Sequence, residues 1–225
     1  MSRSRFEKFK QVLRDRQPDM TVLTDQVHKA QNISAILRTA DAVGIPEIHM
    51  VQPLRGRLVY HNTAGGSGRF VAARVHDNIE HAMQAARARG FKLYAAHWSP
   101  RARNYREVDY RQPFALIMGA EKRGLSEAAA EAADEHLTIP MVGMVESYNV
   151  SVAAAIILEE AMHQRRQAGL YERPFVEDSS YHATLFRWAQ PKMAAYCDRH
   201  GLPYPELDED GDVIPPADPA YRGAL

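Results

Sequence analysis

Three segments carry polar residues able to bind anions, donate and accept hydrogen bonds, or help a proton move. QNISAILRTADAVGI, at 31–45, holds Asn32 and, six positions on, Arg38. An amide donates and accepts without adding charge, whereas a guanidinium grips anions with a planar fork and stays protonated far above neutral pH. IMGAEKRGLS, at 117–126, sets Glu121 between Gly119 and Gly124, which permit close approach of backbone or ligand. IPMVGMVESYNVSVAAAIILEEA, starting at Ile139, places Ser147 and Asn149 after an apolar loop of Met141, Val142, Met144 and Val145. Such a loop is too apolar for a solvated connection and suits the wall of a ligand or partner site. Taken singly, Asn32 reads equally well as a helix cap, Arg38 as an exposed arginine and the Gly-flanked turn as a strand–helix connection found throughout α/β folds.

The elements that position these residues follow from periodicity. Apolar runs at 20–24, 47–51, 91–97, 114–119 and 136–140 read as strands, several apolar on both faces as a covered parallel sheet requires. Helical patterns cover 32–43, 77–89, 126–133 and 151–168, with Asn32, Asp77, Ser126 and Ser151 as expected N-caps and an Asp77–Glu80 capping-box pair. The spacing of Asn32 and Arg38 allows both to face one side of the first of these helices. The alternation predicts an α/β fold, a mostly parallel sheet with helices on both faces, and puts all three polar segments at the ends of strands, where open sheets bind ligands.

Outside this region the chain changes character. Residues 1–16 carry six Lys+Arg against two Asp+Glu, with Phe6, Phe9, Val12 and Leu13 at helical spacing, and read as a basic amphipathic helix. A further helical block at 177–199 is interrupted by Pro191, and the acidic segment from Gly201 onward, with five Pro, is expected to wrap a surface or stay irregular. The expected division is a basic N-terminal helix at 1–16, an α/β domain at 17–170, and a helical extension with an acidic tail at 171–225.

Composition excludes several classes. The 28 Lys+Arg balance 28 Asp+Glu, which argues against an indiscriminate nucleic-acid coat, although charge concentrated at Arg38, Arg55, Arg57, Arg69 and the N-terminal helix leaves room for a selective RNA surface. One cysteine, Cys197, rules out an intramolecular disulfide and a cysteine-based zinc centre, no HxxxH spacing occurs, and no metal site is expected. No apolar stretch is long enough to cross a bilayer and no secretory pattern opens the chain, so the expected address is cytoplasmic with no membrane partner. GxxxxGK[ST] and a strand-borne GxGxxG are both missing, which removes the usual nucleotide loops and makes a nicotinamide oxidoreductase a poor fit; AGGSG at 64–68 follows a loop and reads as a surface turn.

In combination and in this order, NxxxxxR, GxExxGL and IPMxGxxxSxNVSVAxA resemble the SpoU (TrmH) branch of the SPOUT RNA methyltransferases across at least residues 26–168. The basic first helix and the late GLPYPELDEDGDV are similar to the end segments of the branch members that methylate a guanosine 2'-hydroxyl in tRNA. The resemblance implies a C-terminal trefoil knot in the α/β domain, S-adenosylmethionine held in the knotted loops, a homodimer, and tRNA as substrate, with guanosine 18 of the D-loop as target. It implies that Arg38 takes the hydroxyl proton or holds a neighbouring phosphate and stabilises the developing alkoxide. Asn32 and Asn149 would support the arginine and the target nucleotide, Glu121 would anchor the loops or complement a positive group, and Ser147 would bind phosphate or orient Asn149. Cofactor contacts are implied at Ala96, Gly119, Ile139, Met141, Tyr148 and Asn149, mostly through main-chain groups, with Tyr148 larger than the aliphatic residue expected there. A ribosomal RNA 2'-O-methyltransferase and a catalytically idle RNA-binding module remain as alternatives.

Overall fold

The computed structural model describes residues 1–51, 69–121, 123–173 and 177–221. Arg55, Arg57 and the 64–68 glycine segment lie outside the described residues. The chain divides into two compact units, one of residues 17–171 and one of residues 1–16 with 172–225.

The larger unit is built on seven parallel strands: β1 (Met20–Asp25), β2 (Glu47–Val51), β3 (Ala72–His76), β4 (Lys92–Ala96), β5 (Arg103–Asn104), β6 (Phe114–Gly119) and β7 (Glu135–Thr138). Their order across the sheet is β3-β2-β1-β6-β4-β7-β5, so β6 fills the centre between two strands that precede it in the chain. Every residue of β1 is buried, as are the first five of β6, which accounts for the unbroken apolar run of β6 and the apolar Met20, Val22 and Leu23 of β1. Four helices cover the sheet: α2 (Ala30–Ala42), α3 (Ile79–Ala88), α4 (Glu127–Ala132) and α5 (Val150–Gln167). Ile33, Ile36 and Leu37 of α2 join Ile157 and Leu158 of α5 over Val22, Tyr94 and Leu116. On the opposite face Ile79, Ala82 and Met83 of α3 and Ala129 of α4 pack on Leu23, Leu93 and Ile117. The α/β class and the five expected strands are borne out, and the sheet is wholly parallel among the described strands. Strands β3 and β5 are additional: β3 lies at the sheet edge with four of its five residues exposed, and β5 has only two residues, so neither carries an apolar signal.

Three expected caps move. Helix α2 starts at Ala30 after Lys29, which places Asn32 inside its first turn, buried. Asn78, not Asp77, caps α3, with its side-chain oxygen accepting from His81 N, and this replaces the expected Asp77–Glu80 box. Asn149, not Ser151, caps α5 and accepts from Ser151 N at 2.9 Å. In the last two cases the cap is the last residue before the helix: Asp77 lies one residue too early, and Ser151 is already in the first turn, where its own N–H needs an acceptor. Ser126 caps α4 as expected.

The smaller unit contains α1 (Arg3–Arg14), α6 (Ser179–Ala189) and α7 (Pro191–His200). Phe6, Phe9 and Leu13 are buried, and Phe9 meets Trp188 edge-on at 5.8 Å. Pro191 occupies the first turn of α7, where its missing N–H costs nothing, and so separates two helices in the block at 177–199. The acidic segment packs against its own unit: Leu202, Tyr204, Leu207 and Val213 lie on the cluster of Phe186, Met193, Cys197 and Tyr221. Gly211, at φ 77°, passes so close to Phe6 that a Cβ there would lie 2.6 Å from the ring.

A buried cation closes the larger unit. Arg165 of α5, fully buried, donates to Gln17 Oε1 at 3.1 Å and to the Tyr110 carbonyl at 3.0 Å, and pairs with Asp19. Removing one partner of such a pair strands the others, so Arg165→Met is expected to cost about 3–5 kcal/mol, measured by urea unfolding. Glu47 supplies a pH-dependent counterpart. His49 Nε2 lies 3.3 Å from Glu47 Oε1, and Arg74 Nη2 lies 2.8 Å from Oε2. His49 first, and Arg74 after it, hold the carboxyl at about 2 against the opposing effect of burial. The stability this contributes is present above the unfolded value of about 4.3 and is lost as pH falls from there toward 2. Unfolding free energy measured across that range should fall more steeply in the parent protein than in Glu47→Gln.

Candidate functional site

At the end of β6 the chain makes a turn that only glycine allows. Ala120 N donates to Gly124 O at 2.9 Å and Gly124 N to Ala120 O at 2.8 Å, closing a narrow loop with Gly124 at φ 68°. A Cβ on Gly119 would lie 2.3 Å from the carbonyl carbon of Gly124. Immediately beyond, Ser126 N donates to Asp25 Oδ2 at 2.7 Å, tying the start of α4 to the end of β1.

This turn projects Glu121 toward two other elements. Asn32 Nδ2 donates to Glu121 Oε1, and Asn149 Nδ2 donates to Asn32 Oδ1 at 3.2 Å. Lys29 Nζ stands 3.8 Å from the same Glu121 oxygen. Asn149 uses its own oxygen for Ser151 N and, at 2.6 Å, Ser151 Oγ, so its amide is oriented by the cap it forms. Glu121 Oε2 is buried without a hydrogen-bond partner among the described residues. A buried carboxylate oxygen in that condition is costly and marks a place for a donor or a cation.

Beside this chain lies a cavity of about 200 Å³ at the C-terminal ends of β4, β6 and β7. Ala96, Gly119, Ile139, Met141 and Tyr148 all line it, as do Glu121 and Ser147 from the polar set. Asn149 is outside the lining, between Tyr148 and Val150, which are in it. Ser147 is exposed and Tyr148 is 41% exposed, so this wall is open to solvent. No group of three or more His, Cys, Asp or Glu able to hold a metal occurs among the described residues.

Arg38 is not brought to this cluster. It is exposed while Asn32 is 7% exposed, and Arg38 has no hydrogen-bonding or ionic partner among the described residues. Six residues advance an α-helix by about 600°, which leaves the two side chains about 120° apart. The expectation that both face one side of the helix is therefore corrected. Sequence reasoning also missed His97 and Trp98, which line the cavity directly after Ala96. Their position just past an apolar strand was the available signal.

Comparison with known proteins agrees with this arrangement. The SpoU rRNA Methylase family matches residues 19–159, and its C-terminal companion, "SpoU, rRNA methylase, C-terminal", matches residues 163–216. The tRNA (guanosine(18)-2'-O)-methyltransferase of Thermus thermophilus is 50% identical over 185 residues, covering 82% of this chain and 95% of that protein. Among solved structures, the A. aeolicus TrmH/SpoU tRNA modifying enzyme superposes with a TM-score of 0.76 at 37% identity, covering 82% of this chain and 94% of the other. An AdoMet-bound rRNA methyltransferase from Sinorhizobium meliloti superposes with a TM-score of 0.59 at 32% identity, covering 69% of this chain and 60% of the other. With one family matched across more than half its length and a half-identical relative beside it, this chain belongs to the SpoU rRNA Methylase family.

Proposed function

We propose that this chain transfers a methyl group from S-adenosylmethionine to the ribose 2'-hydroxyl of a tRNA guanosine, the one at position 18 of the D-loop. The target is the one named for the Thermus relative. The observation that carries the reading is Glu121, whose Oε2 is buried and unpartnered at the edge of the cavity. A cofactor with a sulfonium and an ammonium group fits a pocket lined by Glu121 and Glu146, and the backbone of the strand ends offers N–H and C=O groups to read an adenine edge. Bound there, it supplies an electrophilic methyl. Ala96, Gly119, Ile139, Met141 and Tyr148 form the pocket wall, with Asn149 fixing the last of these loops through its cap.

The protein's own part is alignment and charge. A ribose hydroxyl is a poor nucleophile, so it must be held in line with the methyl while its proton leaves. Asn32 and Asn149 present a fixed pair of amides for that purpose, and Ser147 adds a hydroxyl at the exposed rim. Arg38, exposed on α2 and turned away from Asn32, is free to bind a phosphate of the substrate RNA. Two copies of the chain associate through the exposed apolar loop of Val142, Met144 and Val145 together with Val152 of α5, a patch larger in character than isolated surface residues. The C-terminal part of the larger unit forms a trefoil knot, a reading that rests on the family resemblance and that a traced experimental backbone tests. A tRNA substrate supports a cytoplasmic address; separately, no helix among the described residues is long and apolar enough to cross a membrane.

Mass-spectrometric mapping of ribose methylation, on tRNA and ribosomal RNA incubated with the protein and labelled cofactor, tests the assignment. Label is expected at guanosine 18, and transfer to ribosomal RNA alone would overturn the reading. Arg38→Lys keeps the charge but loses the fork, and is expected to reduce transfer at least a hundredfold with cofactor affinity unchanged. On α1, Arg5 and Lys8 are exposed and have no ion-pair partner among the described residues. Replacing both by Ala should lessen the slope of log K for tRNA against log salt by about 1 to 2, as two phosphate contacts are lost; an unchanged slope would make the helix purely structural.

A further inference from the structure

The cofactor pocket proposed above contains one imidazole among its described lining residues, His97, immediately after β4. Its main chain is fixed by His97 N donating to Leu137 O at 3.1 Å. Its ring meets the ring of His136 edge-on, with centroids 5.1 Å apart and planes at 81°. His136 is itself fully committed: Nδ1 lies 2.7 Å from Ser99 Oγ, and Nε2 lies 2.7 Å from both Arg101 Nη2 and the Ala130 carbonyl. His97, by contrast, has no side-chain hydrogen-bond partner among the described residues, so a held but uncommitted imidazole borders the cavity. His136 adjoins it, with Arg101 on the far nitrogen of His136; Glu121, Glu146 and Tyr148 line the same cavity.

Methyl transfer changes one charge in this space. The sulfur–methyl bond breaks, an oxygen–methyl bond forms, the hydroxyl proton leaves, and the sulfonium becomes a neutral thioether that retains every other group. A cavity of about 200 Å³ is narrower than the distance over which salt screens charges, so a second cation on its wall acts on the sulfonium. We propose that His97 is a cofactor-facing residue whose charge sets the pocket's preference between S-adenosylmethionine and the product S-adenosylhomocysteine. Neutral imidazole admits the sulfonium; imidazolium disfavours it and leaves the thioether nearly unaffected. Burial, followed by the nearby His136 and Arg101, lowers the pKa of His97 below its ordinary value, which keeps the ring neutral at physiological pH.

The proposal rests on the pocket being the cofactor site, and calorimetric titration of the full chain with each ligand from pH 5 to pH 8 separates the two ideas. In the parent protein the ratio of the S-adenosylmethionine Kd to the S-adenosylhomocysteine Kd is expected to rise on the order of fivefold as pH falls. In His97→Gln, with His97→Asn as a second variant should the first fail to fold, the ratio should stay flat. Glu121 and Glu146 are shared by parent and variant, so their contribution cancels from the comparison. Reciprocally, imidazole NMR should give His97 a lower pKa in the sulfonium complex than in the thioether complex. Equal pKa values in the two complexes, or the same pH slope in the variants, would overturn the role of His97 while leaving the cofactor pocket intact. Binding of neither ligand at any pH would remove the pocket reading and this inference with it.

Discussion

The site depends on two backbones approaching more closely than any side chain permits. Gly119 ends the central strand where a Cβ would lie 2.3 Å from Gly124, and the reciprocal Ala120–Gly124 hydrogen bonds lock the loop in that position. From this the rest follows in order. Glu121 must point away from the crossing, Ser126 N is delivered to the Asp25 carboxylate, and α4 starts from that anchor. Glu121 then meets Asn32 of α2, and Asn32 meets Asn149 at the head of α5. Three elements distant in sequence are registered against one another by a turn whose shape comes from missing side chains.

The same region leaves polar groups unsettled. Thr24 Oγ1, Asp25 Oδ1 and Glu121 Oε2 are all buried without hydrogen-bond partners among the described residues, and all lie at or just beyond the C-terminal ends of the two central strands. At the opposite end of the same strands the buried Arg165 is held by a three-way clasp. A fold that pairs its buried charge so fully at one end and leaves three acceptors open at the other is organised for stability at the first place and for binding at the second.

How much of this was legible in the chain varies with the physics involved. Strands β1 and β6 declared themselves because both faces are buried, while β3 escaped because an exposed edge strand needs no apolar residues. Ser126 was readable as a cap since it is the first short polar side chain before an alanine-rich helix, whereas Asp77 beside Asn78, and Asn149 beside Ser151, offered two competent caps each. Asn32, Glu121 and Asn149 could be picked out by type and motif. Their contact could not, because it spans separations of 89 and 117 residues that only the sheet order closes. Arg38 shows the converse: its motif is plain, yet helix geometry turns it away from Asn32. His97 gave no spacing signal, since its partner His136 sits on another strand.

Placing β6 between β1 and β4 also sets a timetable for biosynthesis. Met20 pairs with Phe114, 94 positions later, so β1 waits for its central neighbour β6 through most of that interval. At ordinary elongation rates that is roughly 5–20 s. During it, β1 can pair only with β2, and its other edge, a row of unpaired backbone N–H and C=O groups, is open to association with another nascent chain. Yield in a cell will therefore follow translation speed and chaperone capacity as closely as it follows the stability of the finished protein.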